Sequence, residues 1–107
     1  MSKTLQRVLV LVANGDVRIS DHGYDELVED DIFAREIIAG VGGAVVVEDY
    51  PDYPKGPCFL VLQKDRNGES IHVVWGIPKH AASPAVVVTA YRPDPDKWDN
   101  NLLWRKR

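Results

Sequence analysis

The hydrophobic pattern changes its period once along the chain, at the glycine pair Gly42-Gly43. Before this pair, apolar residues recur at the three- and four-residue spacing that lines one face of an α-helix, as in residues 5–12. After it, β-branched runs alternate with turn residues, which is typical of strands. The chain has 107 residues, of which 45% are apolar, so it can bury one core. We therefore expect a single α+β domain over residues 1–107, helical from about residue 3 to 41.

Three helices are expected in the first part of the chain. The first ends before a short extended link over residues 16–20. The second begins at Ser20 or Asp21 and the third at Asp30 or Asp31, because these side chains can accept hydrogen bonds from the first amides of a helix. The residues predicted to face inward are Tyr24, Leu27 and Val28 of the second helix and Phe33, Ala34, Ile37, Ile38 and Val41 of the third.

The second part, from about residue 44 to 92, predicts a four-stranded antiparallel sheet on which the helices pack. Asn67-Gly68 favours a tight hairpin, since both residues tolerate a positive φ. The tail, residues 93–107, carries Trp98, Leu102 and Trp104 and can lie back on the fold or on a partner. The predicted strands are residues 44–49, 58–64, 70–77 and 85–91.

The net charge of −3 is distributed unevenly. Residues 21–50 carry one basic and nine acidic side chains, whereas residues 51–107 carry nine basic and six acidic ones. An acidic helical part therefore precedes a mildly basic sheet, and this polarity permits an RNA-facing surface without requiring one. The longest strongly apolar run, residues 8–13, is far shorter than the roughly 20 residues that cross a bilayer. We expect a cytoplasmic protein with no membrane partner.

Neither a cofactor nor a metal is expected. The glycines at residues 40–43 follow a helix, whereas a nucleotide-binding loop precedes one. The three histidines lack the short spacing typical of metal ligands. The single Cys58 excludes an internal disulfide, and its place in a strand favours an inert, buried thiol.

The order of several motifs resembles a bacterial family of uncharacterised domains related to the RelE-like, BrnT-like and MqsR-like toxins of type II toxin–antitoxin systems. These motifs are VRISDHGYDELVEDDI, a strand ending in EDYP, GPCFLVL, IHVVWG and VVVTAYRPDPDKW, and they cover nearly the whole chain. The resemblance implies a RelE-toxin-like helix-on-sheet fold, cleavage of messenger RNA without a metal, and a small antitoxin protein as partner. This chain departs from the family pattern at Glu26 and Asp30, where many members carry arginines.

Two histidines are candidates for the general base of such a ribonuclease. His22 lies near a helix N-terminus, and an unperturbed imidazole titrates near neutrality. Its alternative role is to cap the helix or to bond a backbone carbonyl. His72 lies in the third predicted strand on the face opposite Ile71 and Val73, so it faces either solvent or a cleft. Its alternative role is that of a core or edge histidine.

Tyr91 and Arg92 are the other two candidate site residues, at the end of the last predicted strand. Alternation sends them to opposite faces unless the strand bulges there. Arg92 can stabilise phosphate charge, and Tyr91 can transfer a proton or stack on a base. The alternative for Arg92 is an ion pair with Asp94 or Asp96.

Two functions follow from these observations. The first is a toxin-like domain that binds RNA on its sheet and cleaves it, with His22 or His72 as base and with Tyr91 and Arg92 assisting. The second is a catalytically silent protein-binding module of the same fold, which Glu26, Asp30 and the negative net charge favour. The sequence leaves a homo-oligomer open.

Overall fold

The computed structural model describes residues 2–99 and 101–106, which form three α-helices and seven strands. The side chain of Ser20 accepts a hydrogen bond from the Gly23 amide at 2.9 Å, so Ser20 caps the second helix. The predicted start of this helix is confirmed. The third helix begins after Phe33 without a side-chain cap, so the predicted cap at Asp30 or Asp31 is wrong. The helices are α1 (Lys3–Ala13), α2 (Asp21–Glu29) and α3 (Ala34–Gly40), and a single 3₁₀ turn follows at Val41–Gly43.

Five strands form one mixed sheet in the order β1-β5-β4-β3-β2, and two short strands form a separate C-terminal hairpin. The strands of the main sheet are β1 (Val17–Ile19), β2 (Val45–Tyr50), β3 (Cys58–Lys64), β4 (Ser70–Gly76) and β5 (Ala85–Tyr91). Those of the hairpin are β6 (Trp98–Asp99) and β7 (Trp104–Arg105).

The prediction of a four-stranded antiparallel sheet is therefore wrong in two respects. The sheet has a fifth strand, and that strand is parallel to its neighbour. The link predicted over residues 16–20 contains β1, which pairs in parallel with β5, so that Val17 lies beside Ala85 and Ile19 beside Val87. The strand partner is more than sixty residues away in the sequence, and a parallel pair needs a long crossover that no local pattern indicates. The remaining pairs, β2–β3, β3–β4 and β4–β5, are antiparallel as predicted.

The core lies between the helices and one face of the main sheet. Its centre is Trp75, which is fully buried and whose indole N–H donates to the side-chain oxygen of Gln63 at 2.9 Å. The Gln63 amide in turn donates to the carbonyl of Ile37 in α3 at 2.9 Å. The polar groups in this buried region are thus paired, as burial demands. The helix-facing strand residues are Phe59, Val61, Gln63, Ile71, Val73, Trp75, Ala85, Val87 and Ala90.

Three residues predicted to face inward are exposed instead: Tyr24, Val28 and Phe33. Helix α2 approaches β5 so closely that a β-carbon added at Gly23 would lie 2.8 Å from the carbonyl oxygen of Val87. Gly23 and Leu27 therefore form the buried side of α2. Because Tyr24 and Val28 lie on the next part of the helix surface, they are turned outward.

Two β-bulges decide which side chains reach the face of the sheet away from the helices, here called the outer face. In β2, Val46 lies opposite Val61 and Glu48 opposite Leu60, so Val47 is an extra residue. An extra residue reverses the alternation beyond it. The bulge therefore turns Glu48 and Tyr50 to the outer face.

The second bulge has the same effect on β5. Val87 lies opposite Trp75 and Thr89 opposite Val74, so Val88 is the extra residue. Tyr91 consequently lies opposite His72 on the outer face, and Arg92 is directed toward the helices. The prediction that Tyr91 and Arg92 face opposite ways is confirmed.

The loop between β2 and β3 depends on Gly56, which has φ of 125°. A β-carbon added there would lie 2.2 Å from the carbonyl oxygen of Ile77. We predict that Gly56→Ala lowers the free energy of unfolding by more than about 2 kcal/mol, because both the strained φ and the backbone overlap oppose folding. Chemical denaturation measures this.

The matched control is Gly42→Ala, since a β-carbon at Gly42 has no atom within 4 Å. This variant should change stability by less than about 0.5 kcal/mol. Equal stability of the two variants would contradict the close approach at Gly56.

Candidate functional site

The outer face carries a polar cluster centred on Glu48. The guanidinium of Arg105, from the C-terminal hairpin, donates to both oxygens of Glu48 at 2.6 and 3.0 Å. The hydroxyl of Tyr50 donates to the same carboxylate at 2.8 Å. The hydrogen bond from Arg105 is the main reason that the pKa of Glu48 lies below its usual range, and the bond to Glu48 raises the pKa of Tyr50. At neutral pH the carboxylate is therefore ionised and the phenol is protonated.

His72 and Tyr91 form a second cluster beside the first. The Nε2 of His72 lies 2.8 Å from the carbonyl oxygen of Leu102, and its Nδ1 lies 3.2 Å from the hydroxyl of Tyr91. A carbonyl only accepts, so Nε2 carries the proton. Burial lowers the pKa of His72, so the ring is neutral near pH 7 and Nδ1 accepts from Tyr91. The edge of Trp98 packs on the ring, with centroids 4.4 Å apart, and completes its burial.

The C-terminal hairpin thus lies back on the outer face, as one of the two predicted alternatives for the tail has it. It covers His72 but leaves an open groove of about 440 Å³ beside the Glu48 cluster. Cys58 is only half-buried on the groove wall, so the prediction of a buried thiol is wrong. Desolvation raises the pKa of this thiol, which fits an inert cysteine. The groove is lined by Glu48, Tyr50, Tyr53, Cys58, Leu60, Val74, Thr89, Tyr91 and Arg105.

Basic side chains gather at the end of this groove. A second depression shares Tyr91 and Arg105 with it and is also lined by Lys97 and Lys106. Lys106 lies 3.8 Å from Asp99, and Arg105 stacks over the ring of Trp98 at 4.7 Å. The groove therefore joins an ionised carboxylate, three phenols and several cations on a surface open to solvent.

Of the four predicted site residues, only His72 and Tyr91 are brought together. His22 lies on α2, on the helix-covered side of the sheet, and its nearest charged partner is Glu26 at 3.7 Å. Its side chain is 70% exposed. The geometry thus separates His22 from the outer-face groove.

Arg92 also points away from the groove, into a network that joins three parts of the fold. Its guanidinium donates to the carboxylate of Asp65 at 3.1 Å and to the backbone carbonyl of Asp30 at 3.3 Å, and it lies 3.7 Å from Glu69. The alternative prediction, an ion pair between Arg92 and Asp94 or Asp96, is wrong because the carboxylate partners of Arg92 are Asp65 and Glu69. Sequence-adjacent acids were expected, but the chain direction after β5 brings Arg92 to the β3–β4 turn and the end of α2.

Sequence reasoning missed the cluster formed by Glu48, Tyr50 and Arg105. The strand ending EDYP contained two of them, but plain alternation through Val47 would have placed Glu48 toward the helices. Arg105 lies in a basic tail and far from β2 in the sequence. In the described part of the chain, no group of three histidine, cysteine or acidic side chains is arranged to hold a metal ion.

The fold and the groove define a small α+β domain with a polar, partly basic candidate site on the outer face of a mixed sheet, beside the C-terminal hairpin. Residues 19–92 match the model of a domain of unknown function, DUF4258, and the chain belongs to this family. No curated protein and no solved structure matches the chain. The family match itself carries no link to RelE-, BrnT- or MqsR-like toxins. No helix in the described residues is long and apolar enough to cross a membrane.

The depressed pKa of His72 predicts a pH dependence of stability. Burial in the folded state disfavours the charged ring, so His72 contributes stability above its unfolded pKa of about 6.5, and this contribution is lost as pH falls below that value. We expect the melting temperature of the wild-type chain to fall between about pH 7.5 and about pH 5.5, and that of His72→Gln to fall by less. Calorimetry at both pH values measures this, and His22→Gln, a change at an exposed histidine, is the control. A wild-type pH response in His72→Gln would contradict a neutral, buried ring.

Asp65 predicts a second dependence, at acidic pH. Hydrogen bonds from the backbone amides of Glu69 and Asn67, and then the contact with Arg92, lower the pKa of Asp65. A depressed carboxyl pKa stabilises the fold above the unfolded value of about 3.8, and this contribution is lost as pH falls below it. We expect Asp65→Asn to lower the melting temperature at pH 7 and the deficit to shrink below about pH 3.8. Asp52→Asn, in an exposed loop, is the control. A deficit of equal size at all pH values would count against the ionised network.

Proposed function

We propose that this chain is a toxin-like domain that binds single-stranded RNA in the outer-face groove and cleaves it without a metal, and that a small antitoxin protein is its partner. The observation that carries the proposal is the Glu48 carboxylate, held between the Arg105 guanidinium and the Tyr50 hydroxyl in an open groove that also contains Tyr91. Metal-independent RNA cleavage needs a base, an acid and a cation near one phosphate. This groove contains all three chemical types.

The proposed reaction uses the ribose of the substrate as nucleophile. Glu48 removes the proton from the 2′-hydroxyl, the 2′-oxygen attacks the adjacent phosphorus, and the bond from phosphorus to the 5′-oxygen breaks. The Tyr91 hydroxyl donates its proton to the leaving 5′-oxygen. The products are a 2′,3′-cyclic phosphate and a 5′-hydroxyl, and water then carries the proton from Glu48 back to Tyr91. In the free protein the Tyr91 hydroxyl donates to Nδ1 of His72. In the reaction this proton turns from Nδ1 to the leaving 5′-oxygen, and His72 acts as a positioning residue for the Tyr91 side chain.

Arg105 is proposed to couple substrate binding to the strength of the base. In the free protein its guanidinium lowers the pKa of Glu48, which makes the carboxylate a weak base. A phosphate offers guanidinium the same bidentate geometry as a carboxylate. When the scissile phosphate takes over Arg105, Glu48 loses its strongest partner and its pKa rises toward the range where it accepts a proton. The same Arg105 then stabilises the charge that develops on phosphorus.

Features around the groove favour single-stranded RNA over a duplex. Tyr50 and Tyr53 line the groove with about half of their surface exposed, so their rings are available to stack on unpaired bases. Lys97 and Lys106 lie at its end and can contact the flanking phosphates.

The proposed mechanism predicts the behaviour of the wild-type chain and of three variants. We expect the purified chain to cleave a mixed-sequence, fluorescently labelled RNA in excess EDTA and to leave 2′,3′-cyclic phosphate ends, identified by mass spectrometry. Glu48→Gln should lower the rate by about 10²–10⁴-fold, because the base is lost. Arg105→Ala should lower it by about 10²–10³-fold, because charge stabilisation is lost. Tyr91→Phe should also be impaired.

The control for this experiment is His22→Ala, which changes an exposed histidine on the helix-covered side and should retain the wild-type rate. Each variant is first checked for native circular dichroism. A fully active Glu48→Gln variant would overturn the assignment of the base. Growth arrest on expression of the chain alone, relieved by Glu48→Gln, is the expected outcome in cells.

A second candidate is a catalytically silent protein-binding module of the same fold. The pairing of Glu48 with Arg105 favours it, because each charge is already satisfied by the other. His72 favours this candidate as well, because both of its ring nitrogens are already hydrogen-bonded within the protein. Absence of RNA cleavage by the folded wild-type chain, together with normal growth, would support this candidate and reject the ribonuclease.

A further inference from the structure

The helix side of the molecule carries an apolar groove that is separate from the outer face. It lies where α2 meets the start of α3 and is here called the α2–α3 groove. Its most exposed side chains are Val28 at 65%, Tyr24 at 60% and Phe33 at 50%. The groove is lined by Tyr24, Leu27, Val28, Asp31, Ile32, Phe33 and Ala34.

The exposure of these residues is a consequence of how α2 packs. Gly23 and Leu27 take up the contact with β5, so the adjacent Tyr24 and Val28 have no sheet to cover them. Single exposed apolar residues are common on protein surfaces. Three large ones around one groove are the pattern that marks an interaction site.

Acidic side chains lie in and beside this groove. Asp21, Asp25 and Glu29 recur every four residues along α2, in the row next to Tyr24 and Val28. Asp31 belongs to the groove itself. Among the described residues, none of these four carboxylates makes an ion pair, whereas the nearby Glu26, Asp30 and Glu36 contact His22, Arg92 and Arg66, respectively.

The end of the groove at Phe33 carries basic side chains. The guanidinium groups of Arg35 and Arg66 lie 5.1 and 5.7 Å from the centre of the Phe33 ring. These contacts place two guanidinium groups at that end, of which Arg66 is paired with Glu36 and Arg35 adds a further positive charge. The groove is therefore acidic along α2 and basic beyond Phe33, so it has a direction along which a charged partner can be aligned.

We propose that the α2–α3 groove docks a basic amphipathic helix of a protein partner. The apolar residues of such a helix, at positions i, i+3, i+4 and i+7, would cover Tyr24, Val28 and Phe33. Its lysines and arginines would face the unpaired carboxylates of α2, and this complementarity speeds association and selects the partner. Nucleic acid is repelled by the same carboxylates. This docking does not rest on RNA cleavage, which is assigned to the opposite side of the sheet.

A designed peptide tests the proposal on the full chain. The probe is a fluorescein-labelled helical peptide of about 16 residues with leucines at i, i+3, i+4 and i+7 and lysines elsewhere on its surface. Fluorescence polarisation should detect saturable binding that weakens as salt rises. A scrambled peptide of identical composition, which has no apolar face, should bind at least about tenfold more weakly.

Substitutions on the protein then locate the contact. The double variants Tyr24→Ser with Val28→Ser, and Asp25→Lys with Glu29→Lys, should each weaken binding by at least about tenfold, because they remove the apolar and the charged contribution, respectively. Val10→Ser is the matched control, since Val10 is 61% exposed on α1 and lies outside the groove lining. It should leave the affinity unchanged.

Three results would overturn the proposal. One is equal affinity for the amphipathic and the scrambled peptide, which indicates general attraction to an acidic surface. Another is unchanged affinity in both double variants. The third is a dimer of the chain, seen by sedimentation and lost in Tyr24→Ser with Val28→Ser, which would make a second copy the occupant of the groove.

Discussion

Two extra residues, Val47 in β2 and Val88 in β5, determine which chemistry the sheet presents. Each forms a bulge that reverses the side-chain alternation beyond it, so that Glu48, Tyr50 and Tyr91 face away from the helices. Without the bulges, Glu48 would point a carboxylate toward the apolar core, where an unpaired charge is costly. The outer-face groove therefore depends on a backbone irregularity in two strands that flank the central pair, β3 and β4.

Buried polar groups fasten the remaining parts of the fold to this sheet. Gln63 connects Trp75 to α3, and Arg92 connects the end of α2 to the β3–β4 turn. His72 holds the C-terminal hairpin through the Leu102 carbonyl, and the hairpin brings Arg105 to Glu48. Each of these side chains makes long-range contacts that a helix or strand alone would not supply. The site is thus assembled from β2, β5 and the C-terminal hairpin, and the sheet keeps them in register.

The two sides of the domain differ in charge, and this difference separates the two proposed interactions. The carboxylates of Asp21, Asp25, Glu29 and Asp31, on α2 and in the turn after it, lie in or beside the apolar α2–α3 groove. The cations Lys97, Arg105 and Lys106 lie at the end of the outer-face groove. A polyanion is drawn to the second surface and repelled by the first. The two proposed interactions therefore lie on different surfaces and need not compete.

Local periodicity, turn chemistry and strand alternation were enough to predict the three helices, the four antiparallel strands, the hairpin turn and the opposite directions of Tyr91 and Arg92. The fold was needed to show the parallel strand β1, the bulges, the exposure of Tyr24, Val28 and Phe33, and the contact of Glu48 with Arg105. These features depend on contacts between residues far apart in the chain. An amphipathic pattern marks a helix as having an apolar side, but which apolar residues are covered depends on how closely the helix can approach the sheet, and here Gly23 sets that approach.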